Sequence, residues 1–468
     1  MSTEPTRLAV LREEFDLSWL SLPVGAAAAA GVFLYAPVAA DAATMLAITV
    51  FCVSLWVGAP VEPWLTGLLA VGLVGVVFST DLALTGFQSP ATWLVVLGVL
   101  LGEATRQSGL AAVVERAALG VLPGDATADA ATTYRHLLVV LSAAALAFVV
   151  LVPSALVRVL ILGPILVSIG TSFSERRARV GLFLGPLFVT YFAGTGILTG
   201  SLANIIIAGL VETNAGVSIG WVEWAVWLAP VMTVGRAAVV TAIAYVLYRP
   251  TDADAVDTSV EGTTGASAEA RRMMAFLLVG VAIWLTDSVH GLHPLYGALV
   301  VVVLAFTPRV GVVGADAVEQ ANFSIVFFLG AIFAIAAGLQ QTGFTEVAAD
   351  VILATFPQDA SLAVALGFLA VASIALTFLM EGLAVASVLT PVLVAFAEGA
   401  GLPLVPVAMT EAVALNTYFF PYQSAVLVAI LGLDVVDTME LVKMAALCSL
   451  ATLLVLLPIQ IGVFALAF

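Results

Sequence analysis

Two charged residues lie beside chain breaks within long apolar segments, where a charge is costly and usually functional. Arg158 follows a break at Val152-Pro153-Ser154-Ala155, and Glu381 lies within a break at Met380-Glu381-Gly382-Leu383. Helical spacing places Arg158 one turn from Ser154 on the same face. Its guanidinium could supply the fork that a carboxylate or sulfate oxygen pair needs. The structural alternative is an ion pair with Glu381 that only holds the two breaks together.

The carboxylate of Glu381 has three uses in an ion pathway. It could coordinate sodium, accept a proton as the coupling step, or neutralise Arg158 while the site is empty. The alternative is a solvated acid at a hairpin tip.

Two other charged residues have structural interpretations. Arg236 is expected to pair with an acid or to extend its side chain toward water, and Glu411, near the start of an apolar segment, is expected at the membrane interface.

Two further apolar segments are interrupted by small and polar residues, at positions 194–201 and 416–424. Inside a bilayer, irregular backbone is tolerated only where protein or a cavity surrounds it. Ser201, Asn204, Gln423 and Ser424 are the uncharged polar residues at these interruptions. They could bind a ligand or act only as hydrogen-bonding contacts between helices. Their clustering at the interruptions favours binding.

The composition sets the class of protein. Apolar residues make up 62% of the 468 residues and charged residues only 10%, whereas soluble proteins carry about 25% charged residues. This disfavours soluble enzymes and nucleic-acid-binding proteins and predicts a polytopic membrane protein. Cys52 and Cys448 are isolated in apolar runs, so neither a redox pair nor a metal site is predicted. With three histidines and no metal-binding motif, a membrane-embedded enzyme is disfavoured.

The excess of acidic over basic residues gives a further indication. The formal net charge is −16, and Lys443 is the single lysine. This halophilic composition favours a chain solvated by strong brine, although low external pH or an acidic partner would produce the same pattern.

The apolar segments predict an all-α fold with about 11 transmembrane helices and two re-entrant hairpins. Every basic residue except Arg158 and Arg236 falls in a stretch assigned to the cytoplasm. Because short cytoplasmic loops concentrate Lys and Arg, we expect a multi-pass protein of the cell membrane with a cytoplasmic N-terminus.

The chain divides into two related halves. We predict a cytoplasmic N-terminal arm at 1–18, a first half at 19–248, a cytoplasmic polar linker at 249–270 and a second half at 271–468. Each half contains a predicted re-entrant hairpin and then a broken helix, at about 136–170 and 180–211 in the first and about 360–397 and 406–433 in the second. The order of parts is the same and the topology opposite, which predicts inverted repeats with the transport site at the breaks.

The interruptions carry a family resemblance. Gly200-Ser201-Leu202-Ala203-Asn204 and Phe420-Pro421-Tyr422-Gln423-Ser424 resemble the loops of the divalent anion/sodium symporter family of the ion transporter superfamily, over roughly residues 92–468. The resemblance implies transport of dicarboxylates, citrate or sulfate with sodium, a homodimer and an elevator movement. It also implies a Ser-Asn-Thr motif at each hairpin tip. Here Ser154-Ala155-Leu156 keeps only the serine, and Glu381-Gly382-Leu383 keeps none.

The resulting expectation is a secondary active transporter of a small anion. The predicted substrate-binding residues are Ser154, Ala155, Arg158, Ser201, Asn204, Glu381, Gly382, Gln423 and Ser424, and the predicted ion-binding residues are Ser154, Gly200, Ser201, Asn204, Glu381, Pro421 and Ser424. Sodium is the favoured coupling ion, with no other cofactor. The expected partners are the anion, the bilayer and a second copy of the chain, without nucleic acid. The alternatives are a proton-coupled transporter or exchanger that uses Glu381, and an anion channel.

Overall fold

The protein is an assembly of helices. The computed structural model describes residues 17–110, 116, 130–251, 267–356, 360–379 and 382–468, and these ranges contain no β-strand. The all-α class is thereby confirmed. Most of the predicted N-terminal arm, most of the polar linker and Glu381 lie outside the described residues. The boundaries drawn between halves stay predictions.

The helices of the first half are α1 Ser21–Tyr35, α2 Ala40–Gly58, α3 Pro63–Val77, α4 Thr80–Gln88, α5 Pro90–Gln107, α6 Ala130–Leu151, α7 Ala155–Gly170, α8 Arg176–Phe192, α9 Leu202–Ala215, α10 Trp221–Leu228 and α11 Arg236–Tyr248. Those of the second half are α12 Ala268–Leu285, α13 Asp287–His290, α14 Leu295–Phe306, α15 Asp316–Gln320, α16 Ser324–Gln341, α17 Phe344–Thr355, α18 Leu362–Thr377, α19 Gly382–Ala400, α20 Leu404–Leu415, α21 Ala425–Leu431, α22 Thr438–Ala451 and α23 Leu457–Ala467.

Many of these helices have the length and composition of membrane spans. Among the described residues, eight helical stretches are long and apolar enough to cross a bilayer, and α4 with α5 forms a further span bent by 50°. Six shorter apolar helices, including α7, α9, α18 and α20, accompany them. The polytopic architecture is confirmed, while the number of about 11 crossings stays a prediction.

Local chemistry explains the chain break at the predicted first hairpin tip. The first tip, residues 152–154, follows the end of α6, and Pro153 there has no backbone N–H to continue a helix. Ser154 then caps α7 by accepting a hydrogen bond from the Val157 amide at 3.4 Å. The second tip, residues 378–381, separates α18 from α19, which begins at Gly382. Residues 380 and 381 of this tip lie outside the described part.

Two helices are interrupted where the polar segments predict it. The first break, residues 193–201, separates α8 from α9 and contains two 3-10 turns, Ala193–Gly196 and Leu198–Gly200. The second break, residues 416–424, separates α20 from α21 and contains one 3-10 turn, Pro421–Gln423. Each broken helix is followed by a long helix with a π-helical segment, Ala229–Gly235 between α10 and α11 and Thr452–Leu456 between α22 and α23.

The two halves pack reciprocally. α8 contacts both arms of the first hairpin, α6 and α7, and α20 contacts both arms of the second, α18 and α19. The second arm of each broken helix packs on the hairpin of the other half, α9 on α19 and α21 on α7. Helices of each predicted half thus pack on the predicted hairpin of the other, and the inverted repeats stay a prediction.

Close helix contact at Gly86 supplies a test of the packing. Gly86 of α4 faces α16, and a Cβ added there would collide with the Gly330 carbonyl oxygen. We expect Gly86→Ala to lower the free energy of unfolding by about 1–3 kcal/mol, because overpacking forces backbone shifts. The measurement is thermal unfolding of purified protein in detergent. Gly72→Ala on α3, where a Cβ meets nothing within 4 Å, is the control, and equal melting temperatures for the two variants would contradict this packing.

Candidate functional site

Arg158 joins the first tip to the first break. It lies in the first turn of α7 and is fully buried. Its Nε donates to Thr190 Oγ1 at 2.7 Å and Nη2 donates to the Thr190 carbonyl at 2.9 Å. Nη1 donates to the Val152 carbonyl at 2.6 Å, and Nη2 also donates to the Gly200 carbonyl at 2.7 Å. The guanidinium N–H groups that were predicted to bind an anion thus donate largely to carbonyl groups of the protein itself.

Arg158 has no acidic neighbour in the part of the chain that the structure describes, where no carboxylate oxygen lies within 4.0 Å of it. The alternative ion pair with Glu381 stays a prediction, because Glu381 lies outside the described residues. Four of the five guanidinium N–H groups are occupied. A buried cation therefore lies at the first tip with its charge uncompensated by any described acid.

Asn204 and two glycines shape the first break. The Asn204 Nδ2 donates to the carbonyls of Gly194, Thr195 and Ile197 at 3.2, 3.0 and 2.9 Å. Gly194 and Gly200 approach so closely that a Cβ on either would lie within 2.6 Å of the other's carbonyl oxygen. Glycine is therefore required here by space. The Asn204 side chain supplies the donors that the unwound backbone lacks.

Asn416 connects the two breaks directly. Ser201 Oγ donates to Asn416 Oδ1 at 2.7 Å, and Asn416 Nδ2 donates to Asn204 Oδ1 at 3.0 Å. All three side chains are buried. The structure therefore brings the predicted residues Ser201 and Asn204 together through a residue of the other half. Asn416 begins the second polar interruption in the sequence, and that position was the signal that could have placed it in the site.

Arg236 has a role that the sequence interpretation missed. It is almost fully buried at the start of α11, and among the described residues it forms neither the expected acid pair nor an extended path to water. It contacts both breaks instead. Its Nη1 and Nη2 donate to Thr195 Oγ1 at 2.7 Å, Thr417 Oγ1 at 3.0 Å and the carbonyls of Phe192, Asn416 and Val413 at 3.2, 3.3 and 3.4 Å.

The predicted residues of the second break bond mainly within their own half. Gln423 Oε1 accepts from the Phe419 and Phe420 amides at 2.7 and 2.8 Å, and its Nε2 donates to the Thr377 carbonyl at 2.9 Å. Gln423 therefore connects the second break to the end of α18 by hydrogen bonds. Ser424 Oγ accepts from the amide of Val426 and caps α21.

The remaining predicted residues lie at helix ends. The Pro421 carbonyl accepts from the Ser424 amide at 3.1 Å. Ser154 and Ala155 are half-buried at the first tip. Gly382 is buried at the start of α19, where an added Cβ would approach the Leu415 carbonyl to 3.1 Å. The structure thus connects Arg158, Gly200, Ser201 and Asn204 through hydrogen bonds, and it places Gln423, Ser424 and Pro421 in a separate group.

The interfacial position expected for Glu411 is wrong. Glu411 lies on α20 with no exposed surface, because α18, α19 and α9 pack around this helix. Its Oε1 accepts a hydrogen bond from Thr390 Oγ1 on α19 at 2.9 Å. The available signal was its place five residues before the second polar interruption, within an otherwise apolar segment.

The fold and the breaks can now be compared with known proteins. The family described as "Sodium:sulfate symporter transmembrane region" matches residues 19–464, which is nearly the whole chain. The chain belongs to this family. The resemblance to divalent anion/sodium symporters is thereby confirmed, and this family member is a multi-pass membrane protein of the transporter class.

Two individual proteins are similar to this family member. A protein of Cupriavidus necator named "Membrane protein" is 25% identical over 306 residues, which are 59% of this chain and 57% of that protein. The match therefore spans little more than half of the relative's length. The Alcanivorax borkumensis YdaH transporter, whose crystal structure has an unusual topology, aligns with a TM-score of 0.57 at 17% identity over 91% of this chain and 98% of its own. That likeness shows the fold alone.

The bridge between the breaks can be tested by a double-mutant cycle. Because Asn204 and Asn416 contact each other in a buried network, we expect Asn204→Ala and Asn416→Ala to be non-additive, with an interaction energy of about 0.5–3 kcal/mol. The measurement is the unfolding free energy of the single and double variants. As a control, Asn204→Ala is combined with Asn322→Ala. Asn322 is exposed and its Oδ1 accepts from the Ser324 amide, so the losses in unfolding free energy should be additive. Additivity of the Asn204 and Asn416 changes would contradict the bridge.

The guanidinium of Arg158 supplies a second test. Lysine keeps the charge but presents its donors from a single nitrogen, so it cannot reach the Val152, Thr190 and Gly200 carbonyls together. We expect Arg158→Lys to leave a buried carbonyl unpaired and to lower stability by about 1–3 kcal/mol, measured by thermal unfolding. Arg106→Lys, at an exposed pair with Glu103, should change little. An Arg158→Lys protein as stable as the Arg106→Lys protein would show that the fork is dispensable.

Proposed function

We propose that this protein is a sodium-coupled secondary active transporter of a small anion of the dicarboxylate, citrate or sulfate class. Membership of the sodium:sulfate symporter family supports the anion transporter. The identity of the anion, the coupling to sodium, the cell membrane and the cytoplasmic N-terminus are parts of the proposal.

The observation that carries the proposal is the pair of buried arginines. Arg158 and Arg236 lie at the tip and the breaks, and each donates only to carbonyl and hydroxyl oxygens among the described residues. A buried charge without a partner is strongly unfavourable. A small anion bound near the breaks would offset this charge. The same positive charge would exclude cations that arrive without an anion.

The helix termini support the location. α7, α9 and α19 begin at the first tip, the first break and the second tip. Helix N-termini at breaks of membrane helices present free amides and a positive dipole end to anionic groups. We place the substrate between two half-sites. Ser154, Arg158 and residues 200–204 form the first, and the second tip with residues 421–424 forms the second.

The family and the remaining carbonyl groups support sodium coupling. Unwound carbonyls at helix breaks are common sodium ligands in transporters. Arg158 and Arg236 occupy several of these oxygens in the first break and at the start of the second. We therefore propose that sodium binds at the second half-site, near Pro421, Ser424 and the second tip.

An elevator movement in a homodimer completes the proposal. The reciprocal packing of α9 on α19 and of α21 on α7 supports a substrate-binding unit that contains parts of both halves. Such a unit would carry the anion across the membrane as one body. The second copy of the chain would hold the remaining helices fixed.

Uptake by proteoliposomes tests this function. We expect labelled sulfate, succinate or citrate to accumulate when sodium is higher outside, because inward sodium flow drives the anion. The measurement is initial uptake of each anion, and of phosphate, with a sodium gradient, with equal sodium and without sodium, against protein-free vesicles. Saturation with increasing anion should separate a transporter from a channel, which would give a steady, unsaturated current. Failure of every anion to enter or to exchange would overturn the proposal.

A further inference from the structure

The transport site does not account for one buried carboxyl group. Glu411 has no exposed surface and lies four residues before the end of α20, the helix that leads into the second break. Its Oε1 accepts from Thr390 Oγ1 at 2.9 Å, and among the described residues its Oε2 has no hydrogen-bond partner. A buried polar atom without a partner is rare in folded proteins and calls for an explanation.

The described surroundings of Glu411 contain no cationic partner that would keep it charged. α20 packs against α18, α19, α9 and α23. α18 and α23 carry no titratable side chain, and α19 and α9 carry only Glu398 and Glu212. Arg236 on α11 reaches the carbonyls of the last turn of α20, and Tyr418 follows in the second break, but within the described ranges no base lies within 4.0 Å of the Glu411 carboxylate.

We propose that Glu411 is a proton-binding site of this transporter, which takes up a proton before the second hairpin closes on α20 and releases it after that contact opens. Binding converts the carboxylate to the neutral acid, so the charge of the protein rises by one. An ionised carboxyl without a cation is costly in the packed arrangement. Protonation removes this cost and permits the close contact of α19 with α20.

The position of Glu411 connects the proton to the transport step. Thr390 belongs to α19, the second arm of the second hairpin, whereas Glu411 belongs to the first arm of the second broken helix. The Thr390 to Glu411 hydrogen bond therefore joins the two elements that flank the second half-site. Any movement that separates α19 from α20 exposes the carboxyl to water, where it ionises. The proton is thus taken up and released in step with the opening of this half-site.

A metal ion fits this site less well. A hard cation takes about six oxygen ligands, whereas within the described part of the chain Glu411 is bonded only to the Thr390 hydroxyl. The proton needs no further ligands. This inference rests on the proposed function and adds a proton to the ions carried with the anion. It is independent of the role of Glu381.

The test uses proteoliposomes with equal sodium on both sides and the membrane potential held at zero by potassium and its ionophore. The probe is the anion of the sulfate, succinate, citrate and phosphate panel that exchanges fastest. With acid outside, a gradient of one pH unit supports about a tenfold accumulation for each net proton carried inward with the anion. We expect the wild-type protein to accumulate the anion and a protonophore to abolish the accumulation.

Glu411→Gln imitates the protonated acid permanently. We expect this variant to continue exchanging labelled for unlabelled anion, with a rate that keeps only the pH dependence of the anion itself, and to show no accumulation in the pH gradient. Glu398→Gln, at an exposed position of α19, is the matched control and should accumulate the anion as the wild type does. Protonation of the anion itself acts equally in all three proteins.

A second variant keeps the test valid if Glu411→Gln does not fold. Thr390→Val removes the hydroxyl that donates to the carboxylate, so we expect the midpoint of the pH profile of exchange to move to higher pH.

Wild-type protein that exchanges the anion but does not respond to the pH gradient would overturn the proton site and leave the transporter intact. Glu411→Gln protein that still accumulates the anion would also overturn it. Absence of exchange for all four anions would overturn the proposed function as well.

Discussion

The structure depends on one constraint, which is that backbone polar groups released by a helix break in an apolar environment must be bonded within the protein. At the first break, side-chain donors satisfy the released backbone groups. Its carbonyls and those of the preceding turn accept hydrogen bonds from five side chains, Arg158, Asn204, Trp224, Thr233 and Arg236. The long π-containing stretch of α10 and α11 supplies three of these donors, which explains why it packs along the break.

The choice of donors determines the electrostatics of the site. Amide and indole donors satisfy a carbonyl without adding charge, whereas the two guanidinium groups add one positive charge each. Because both arginines donate to neutral acceptors throughout the described residues, the bonds that stabilise the breaks also leave the region positive. The side chains that satisfy the backbone hydrogen bonds are therefore also the ones whose charge supports the proposed anion site.

Much of this architecture could be predicted from the sequence, for identifiable reasons. Pro153 and the glycines at 194 and 200 signal interrupted helices, because proline lacks a donor and glycine allows close backbone approach. Apolar length signals membrane helices. The contacts of Arg236 could not be predicted, because they depend on which helices from distant parts of the chain pack around it. The place of Glu411 near the second interruption was a signal for its burial, but its partner Thr390 could not be predicted. Asn416 could be recognised in the sequence as the start of the second interruption. Its partners could not, because Ser201 and Asn204 lie more than two hundred residues away.

These long-range bonds also bear on how the molecule can move. Arg236 and Asn416 bond both breaks at once, and α9 and α21 pack on the predicted hairpins of the opposite half. A movement that rocked one half against the other would have to break this buried network, and each buried group left unpaired costs about 1–3 kcal/mol. A movement that keeps the two breaks together leaves the network intact. The hydrogen bonds that join the breaks therefore support the proposed movement of both breaks as one unit.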